Sequence, residues 1–104
     1  MADLRGYLEQ AVAEGASDLF IVAGGPVSCK RDGKLLHLSE GRVLPDDTAA
    51  LIGEIYALAG RDEASYLRDG DDDFSFALPG LARFRVNAYR QRGSLAAGVR
   101  GGSF

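Results

Sequence analysis

The last third of this 104-residue chain restricts its fold more than any other part. Phe74, Phe76 and Leu78 alternate with Ser75 and Ala77. After Pro79-Gly80, Ala82, Phe84, Val86 and Ala88 alternate with Arg83, Arg85, Asn87 and Tyr89. Gln91-Arg92-Gly93-Ser94 makes a second turn, and Leu95, Ala97 and Val99 resume the pattern. A period of two, interrupted by turn residues, marks antiparallel strands that bury one face and leave the other wet. The segment therefore predicts a three-stranded meander. The same period puts Arg83 and Arg85 on one face about 7 Å apart, turned away from the core.

The upstream residues supply what the meander must pack against. Asp3 caps a helix in which Leu4, Tyr7, Leu8, Ala11 and Val12 form one apolar stripe, and Gly15 stops it. Asp18 to Ala23 reads as a buried strand, Gly24-Gly25-Pro26 breaks it, and Val27 to Arg31 reads as another. Asp32-Gly33 before Lys34 to Leu38 is a strong two-residue hairpin signal. Pro45 opens a second helix, with Asp46 and Asp47 at the positive end of its dipole. Leu44 is a poor cap for it; Leu51, Ile52, Ile55, Leu58 and Ala59 form its inward face, and Gly60 ends it. Asp62 to Asp69 makes a short third helix that stops at Gly70. The expected architecture is α+β in the order α-β-β-β-α-α-β-β-β, a mainly antiparallel sheet with helices packed on one face.

Several functions are excluded at once. Cys29 and His37 are the only residues of their kinds, so neither an internal disulfide nor a Cys/His zinc site can form. A lone cysteine fits a reducing compartment. His37, flanked by leucines, reads as a structural strand residue rather than a catalytic base. Asp71-Asp72-Asp73 lacks the spacing of a calcium loop and reads as a solvated charge run. No apolar run, Leu19 to Ala23 included, is longer than five residues, far below the ~20 that a membrane span needs. No signal peptide is apparent, and no G-x-x-x-x-G-K-[ST] phosphate loop occurs. The chain alone is expected not to be an enzyme.

Charge gives the positive clue. Residues 1–73 hold 15 acids and 7 bases, whereas residues 74–104 hold five arginines and no acid, within a net charge of −3. Two always-charged forks on one strand face suit phosphate oxygens or carboxylates. Arg90 and Arg92, in and beside the following turn, are expected to close on the same anion. Nucleic acid is one alternative ligand, although Tyr89 is the only aromatic residue sharing that face, and stacking platforms use two or three. An acidic protein, or a small ligand inside the fold, are the others.

Three stretches, taken in order, resemble a known family: Gly15-Ala16-Ser17-Asp18-Leu19, Gly25-Pro26 leading to Arg31-Asp32-Gly33, and Asp73-Phe74-Ser75-Phe76 through Pro79-Gly80-Leu81-Ala82-Arg83-Phe84-Arg85-Val86-Asn87-Ala88-Tyr89-Arg90-Gln91-Arg92-Gly93. Together they are similar to the N-terminal domain of the type IV pilus retraction ATPases, the PilT or twitching-motility branch of the type II/IV secretion ATPases. The resemblance implies a PAS-like domain over residues 1–100. Residues 101–104 would then begin a linker to a RecA-like ATPase domain. It also implies a cytoplasmic homo-hexameric motor, peripheral at the inner face of the cell membrane, that uses ATP and Mg and engages pilus base platform proteins, with no nucleic acid and no membrane insertion. In such a motor the N-terminal domain is non-catalytic and lends arginines to the cleft it shares with the ATPase domain. Carried over by position, Arg83 and Arg85 would contact phosphate, with Arg92 and secondarily Arg90 beside them. Phe20 stands where the family has histidine, and Leu44-Pro45-Asp46-Asp47 replaces its T-P-E-D helix start.

Overall fold

The computed structural model describes residues 3–102. Three helices, α1 (Leu4–Ala13), α2 (Pro45–Ala59) and α3 (Ala64–Asp69), accompany six strands. The strands are β1 (Asp18–Ile21), β2 (Ser28–Arg31), β3 (Lys34–His37), β4 (Asp72–Leu78), β5 (Ala82–Gln91) and β6 (Ser94–Gly102). They form one sheet in the order β3-β2-β1-β6-β5-β4, with every neighbouring pair antiparallel. The expected element order and α+β class hold.

Local chemistry explains the element ends. The Asp3 carboxylate accepts from the Gly6 N–H at 3.1 Å and caps α1. Asp32-Gly33 and Arg92-Gly93 carry φ of 52° and 79°, and 52° and 81°, so both hairpins close on left-handed two-residue turns that match strand twist. Strand β1 ends at Ile21 rather than Ala23 because the chain leaves the ladder there. The Gly24 N–H donates to Val43 O, and the Val43 N–H donates to Gly25 O. Helix α3 begins at Ala64, two residues late, because the Asp62 side chain accepts from the Ala64 N–H and makes a turn first. Strand β6 runs on through Gly101 and Gly102, opposite Phe84 and Arg83, into the segment read as linker. The Gly101 N–H also donates to Ser17 O. Ser103 and Phe104, the rest of that segment, lie outside the described residues.

One face of the sheet carries the core. Leu19 and Ile21 of β1, Cys29 of β2, Phe84, Val86 and Ala88 of β5, and Ala97 and Val99 of β6 are buried. They meet Leu4 and Leu8 of α1 and Leu51, Ile52 and Ile55 of α2. Tyr56 and Tyr66 are also buried, which apolar periodicity did not anticipate, because each hydroxyl finds an acceptor. Tyr66 donates to Tyr89 O at 2.8 Å, and Tyr56 donates to Asp72 Oδ2 at 2.8 Å. Burial and the neighbouring carboxylate push the Tyr56 phenol up, so it remains a donor. Arg61 grips Asp72 through Nε and Nη2, both at 2.9 Å, and lies 5.0 Å over the Phe74 ring. This network fastens the end of α2 to the start of β4. It also resolves the aspartate run: Asp72 is committed to Arg61, while Asp71 and Asp73 point into solvent.

Two outcomes follow. The Leu44 side chain is 62% exposed and makes no cap, yet its N–H already donates to Asp47 Oδ2 and its backbone is extended. Leu44→Ser is expected to complete the capping box and raise unfolding free energy by about 1 kcal/mol in urea titrations. Arg61 holds the Asp72 carboxyl below the usual aspartate range. Its contribution to stability is therefore complete above roughly pH 4 and is lost as pH falls through the lowered value. Thermal scans between pH 6 and pH 2 should show Asp72→Asn losing less stability over that acid window than the wild type.

Candidate functional site

The register of β5 between its neighbours decides which arginines meet. Ser75 and Ala77 of β4 stand opposite Arg85 and Arg83, and on the other side Arg100 and Gly102 of β6 stand opposite the same two residues. Even-numbered positions of β5 from Ala82 to Ala88 are buried and odd ones from Arg83 to Asn87 are exposed, so these residues occupy the face without helices. Arg83 and Arg85 lie about 7 Å apart along the strand, and Arg100 lies about 5 Å across from Arg85. Small neighbours leave room beside them. Ser75, Ala77, Gly101 and Gly102, with the three arginines, line an open groove of about 470 Å³ to which no helix contributes.

The electrostatics are unusual for packed strands. Like charges directly opposite each other are unfavourable unless a counter-charge intervenes. Among the described residues, Arg83 and Arg85 make no ion pair or side-chain hydrogen bond. Arg100 has one partial partner, the Asp18 carboxylate, at 3.4 Å from Nε. Such a cluster can take oxyanions: five N–H donors per guanidinium, held on a rigid sheet, match phosphate or carboxylate oxygens.

The four arginines expected to converge do not. Arg92 sits at the tip of the β5–β6 turn, nine residues from Arg83 and therefore about 30 Å along the strand. A phosphate chain touching Arg83 cannot also reach it. Arg90 shares the parity of Val86 and Ala88 and faces the helix side, where Nη2 donates to Leu67 O at 2.6 Å near the end of α3. That parity was already present in the alternation. Arg100 was missed, because its partnership with Arg85 depends on the β5–β6 register and its contact with Asp18 on a β1–β6 pairing. The first was legible from the turn at Arg92-Gly93; the second had no local signal.

The remaining reactive side chains stand apart. Burial pushes the Cys29 thiol up, which keeps it neutral inside the core. His37 is exposed on the edge strand β3 opposite Ser28, whose hydroxyl donates to Pro26 O. Phe20, half-buried on the open face, is opposite Ser28 and Gly98. Among the described residues no group of three or more His, Cys, Asp or Glu gathers as for a metal, and no helix is long and apolar enough to cross a membrane.

No protein-family model matches the sequence. Two curated proteins of Pseudomonas aeruginosa do resemble it. The type IV pilus retraction ATPase PilT is 34% identical over 89 residues, 86% of this chain and 25% of that protein. The type IV pilus ATPase PilU is 33% identical over 86 residues, 82% of this chain and 22% of that protein. A solved structure of the pilus retraction motor PilT with bound ADP superimposes with a TM-score of 0.80 at 33% identity, covering 96% of this chain and 29% of that one. The chain thus spans about a quarter of the length of the curated relatives it matches. Likeness in sequence and likeness in backbone each extend over more than four fifths of the chain, and this chain is homologous to the pilus ATPases PilT and PilU, with the fold of the PilT N-terminal domain.

Proposed function

We propose that this chain is the non-catalytic N-terminal module of a pilus-retraction type of motor ATPase, and that its open sheet face supplies arginines to a nucleotide held by a RecA-like ATPase domain. The observation that carries this reading is the cluster of Arg83, Arg85 and Arg100, aimed into solvent on a rigid sheet with a single weak internal partner. Homology to PilT and PilU supplies the context: both are named as ATPases, and the PilT structure holds ADP.

The division of labour follows from what these residues can do. Guanidinium groups neutralise charge on phosphate oxygens but cannot activate water or hold Mg. ATP and Mg are assigned to the ATPase domain, with Arg83 and Arg85 closing on the phosphates from the other side of an interdomain cleft. Closure then depends on how many phosphates remain, so hydrolysis loosens the grip and lets one domain move against the other. In a homo-hexamer, the same module would pack against ATPase domains of its own and neighbouring subunits, at a pilus base on the inner face of the cell membrane. Arg92, about 30 Å along the strand from Arg83, and Arg90, bonded to Leu67 O, stand apart from this cluster.

In the full-length motor, Arg83→Ala and Arg85→Ala should each lower ATP turnover at least tenfold, since arginines acting on transferring phosphate supply ~10³–10⁵ in related reactions. Both side chains are exposed, so melting temperatures should barely change. Normal hydrolysis by both variants would remove the phosphate role. The competing reading, nucleic-acid binding, is tested by oligonucleotide titration of the chain at physiological salt. Affinity no tighter than millimolar is expected, because Tyr89 and Phe20 do not form a stacking platform. A micromolar Kd that weakens steeply with salt would favour nucleic acid instead.

A further inference from the structure

Asp18 occupies a particular place among these cations. The register aligns Lys30, Asp18, Arg100 and Arg85 across four successive strands, β2, β1, β6 and β5, with Ser75 of β4 beyond them. Asp18 is the only acid in that row, and its cross-strand neighbours on both sides are cations. Its side chain is well fixed: Oδ2 accepts from Ser17 Oγ at 2.7 Å, and only 19% of the side chain is exposed. Arg100 is the opposite case, 75% exposed and touching Asp18 through Nε alone, at 3.4 Å. A single long contact from a solvated guanidinium is weak, whereas bidentate phosphate contacts are strong.

We propose that Asp18 is an internal counter-ion of the arginine site: it keeps Arg100 against β1 while the site is empty and yields it to an incoming polyphosphate. The inference rests on the reading of Arg83 and Arg85 as phosphate-contacting groups and adds the residue that sets their affinity. Without Asp18, Arg100 and Arg85 would face each other across the β5–β6 ladder with no neutralising charge. A ligand that spans Arg83, Arg85 and Arg100 provides that charge from the solvent side. Asp18 opposes such a ligand twice, by competing for Arg100 and by repelling a second negative charge. Both effects have the same sign.

The test measures inorganic triphosphate affinity of the 104-residue chain at fixed ionic strength, followed on arginine Nε–Hε resonances. Asp18→Asn keeps the shape and an oxygen acceptor but removes the charge. It is expected to tighten binding about three- to tenfold, whereas Arg100→Ala weakens it. In the Arg100→Ala chain, Asp18→Asn should recover less than half of that tightening, because the competition is gone. Asp18→Ser carries the same expectation should the asparagine variant fold poorly. Unchanged or weaker binding by the charge-neutral variants overturns the inference, as does full tightening without Arg100. If Arg85→Ala also binds triphosphate like wild type, the phosphate reading of the face falls and takes this inference with it. If no chain responds to triphosphate, this inference falls, while the ATP turnover of the full-length Arg83 and Arg85 variants still decides the reading it rests on.

Discussion

The structure depends on the antiparallel seam between β1 and β6. Leu19 opposite Val99, and Ile21 opposite Ala97, close the sheet over the helices, and all four side chains are buried. These residues lie nearly 80 positions apart in the chain, so their pairing carries a large loop-closure cost that only cooperative burial offsets. Without that seam the sheet would divide into two three-stranded halves, β3-β2-β1 and β6-β5-β4. With it there is one six-stranded sheet with one covered face.

The seam also makes the other face. Because side chains alternate across a strand, the registration that buries Leu19 against Val99 must set Asp18 beside Arg100 on the uncovered side. A slip of one residue would send the carboxylate inward and separate the cations from their counter-charge. Core packing and site geometry are thus two consequences of one register. This explains how a chain of net charge −3 presents a cationic surface: most of its acids lie in helices and loops, and Asp18 is the one acid in the central row of the sheet. The small residues Ser75, Ala77 and Gly102 complete the effect by leaving the guanidinium groups without neighbours tall enough to cover them.

Much of this was legible in the sequence wherever the signal was local. The meander, the Asp32-Gly33 and Arg92-Gly93 turns, the span of α2 from Pro45 to its stop at Gly60, and the outward aim of Arg83 and Arg85 all follow from periodicity and turn chemistry. What escaped was non-local or depended on a polar partner. Tyr56 and Tyr66 could be buried only because Asp72 and the Tyr89 carbonyl stand nearby. Gly101 and Gly102 resemble a linker in sequence, yet they pair with Phe84 and Arg83 of β5, and Gly101 also donates to Ser17 O. Arg100 joined the site through strand pairing alone. Arg90 is the instructive error, since grouping arginines by proximity to a turn ignored the parity that already assigned it to the helix face.

The central claim is that the uncovered face of the sheet receives the phosphates of a nucleotide carried by another domain. The most direct measurement is a crystal structure of the full-length protein with a non-hydrolysable ATP analogue. The expected result is a terminal phosphate oxygen within hydrogen-bonding distance, about 2.7–3.2 Å, of a guanidinium nitrogen of Arg83 or Arg85. A nucleotide whose phosphates lie far from both arginines, with this face turned to solvent or covered by protein, would contradict it.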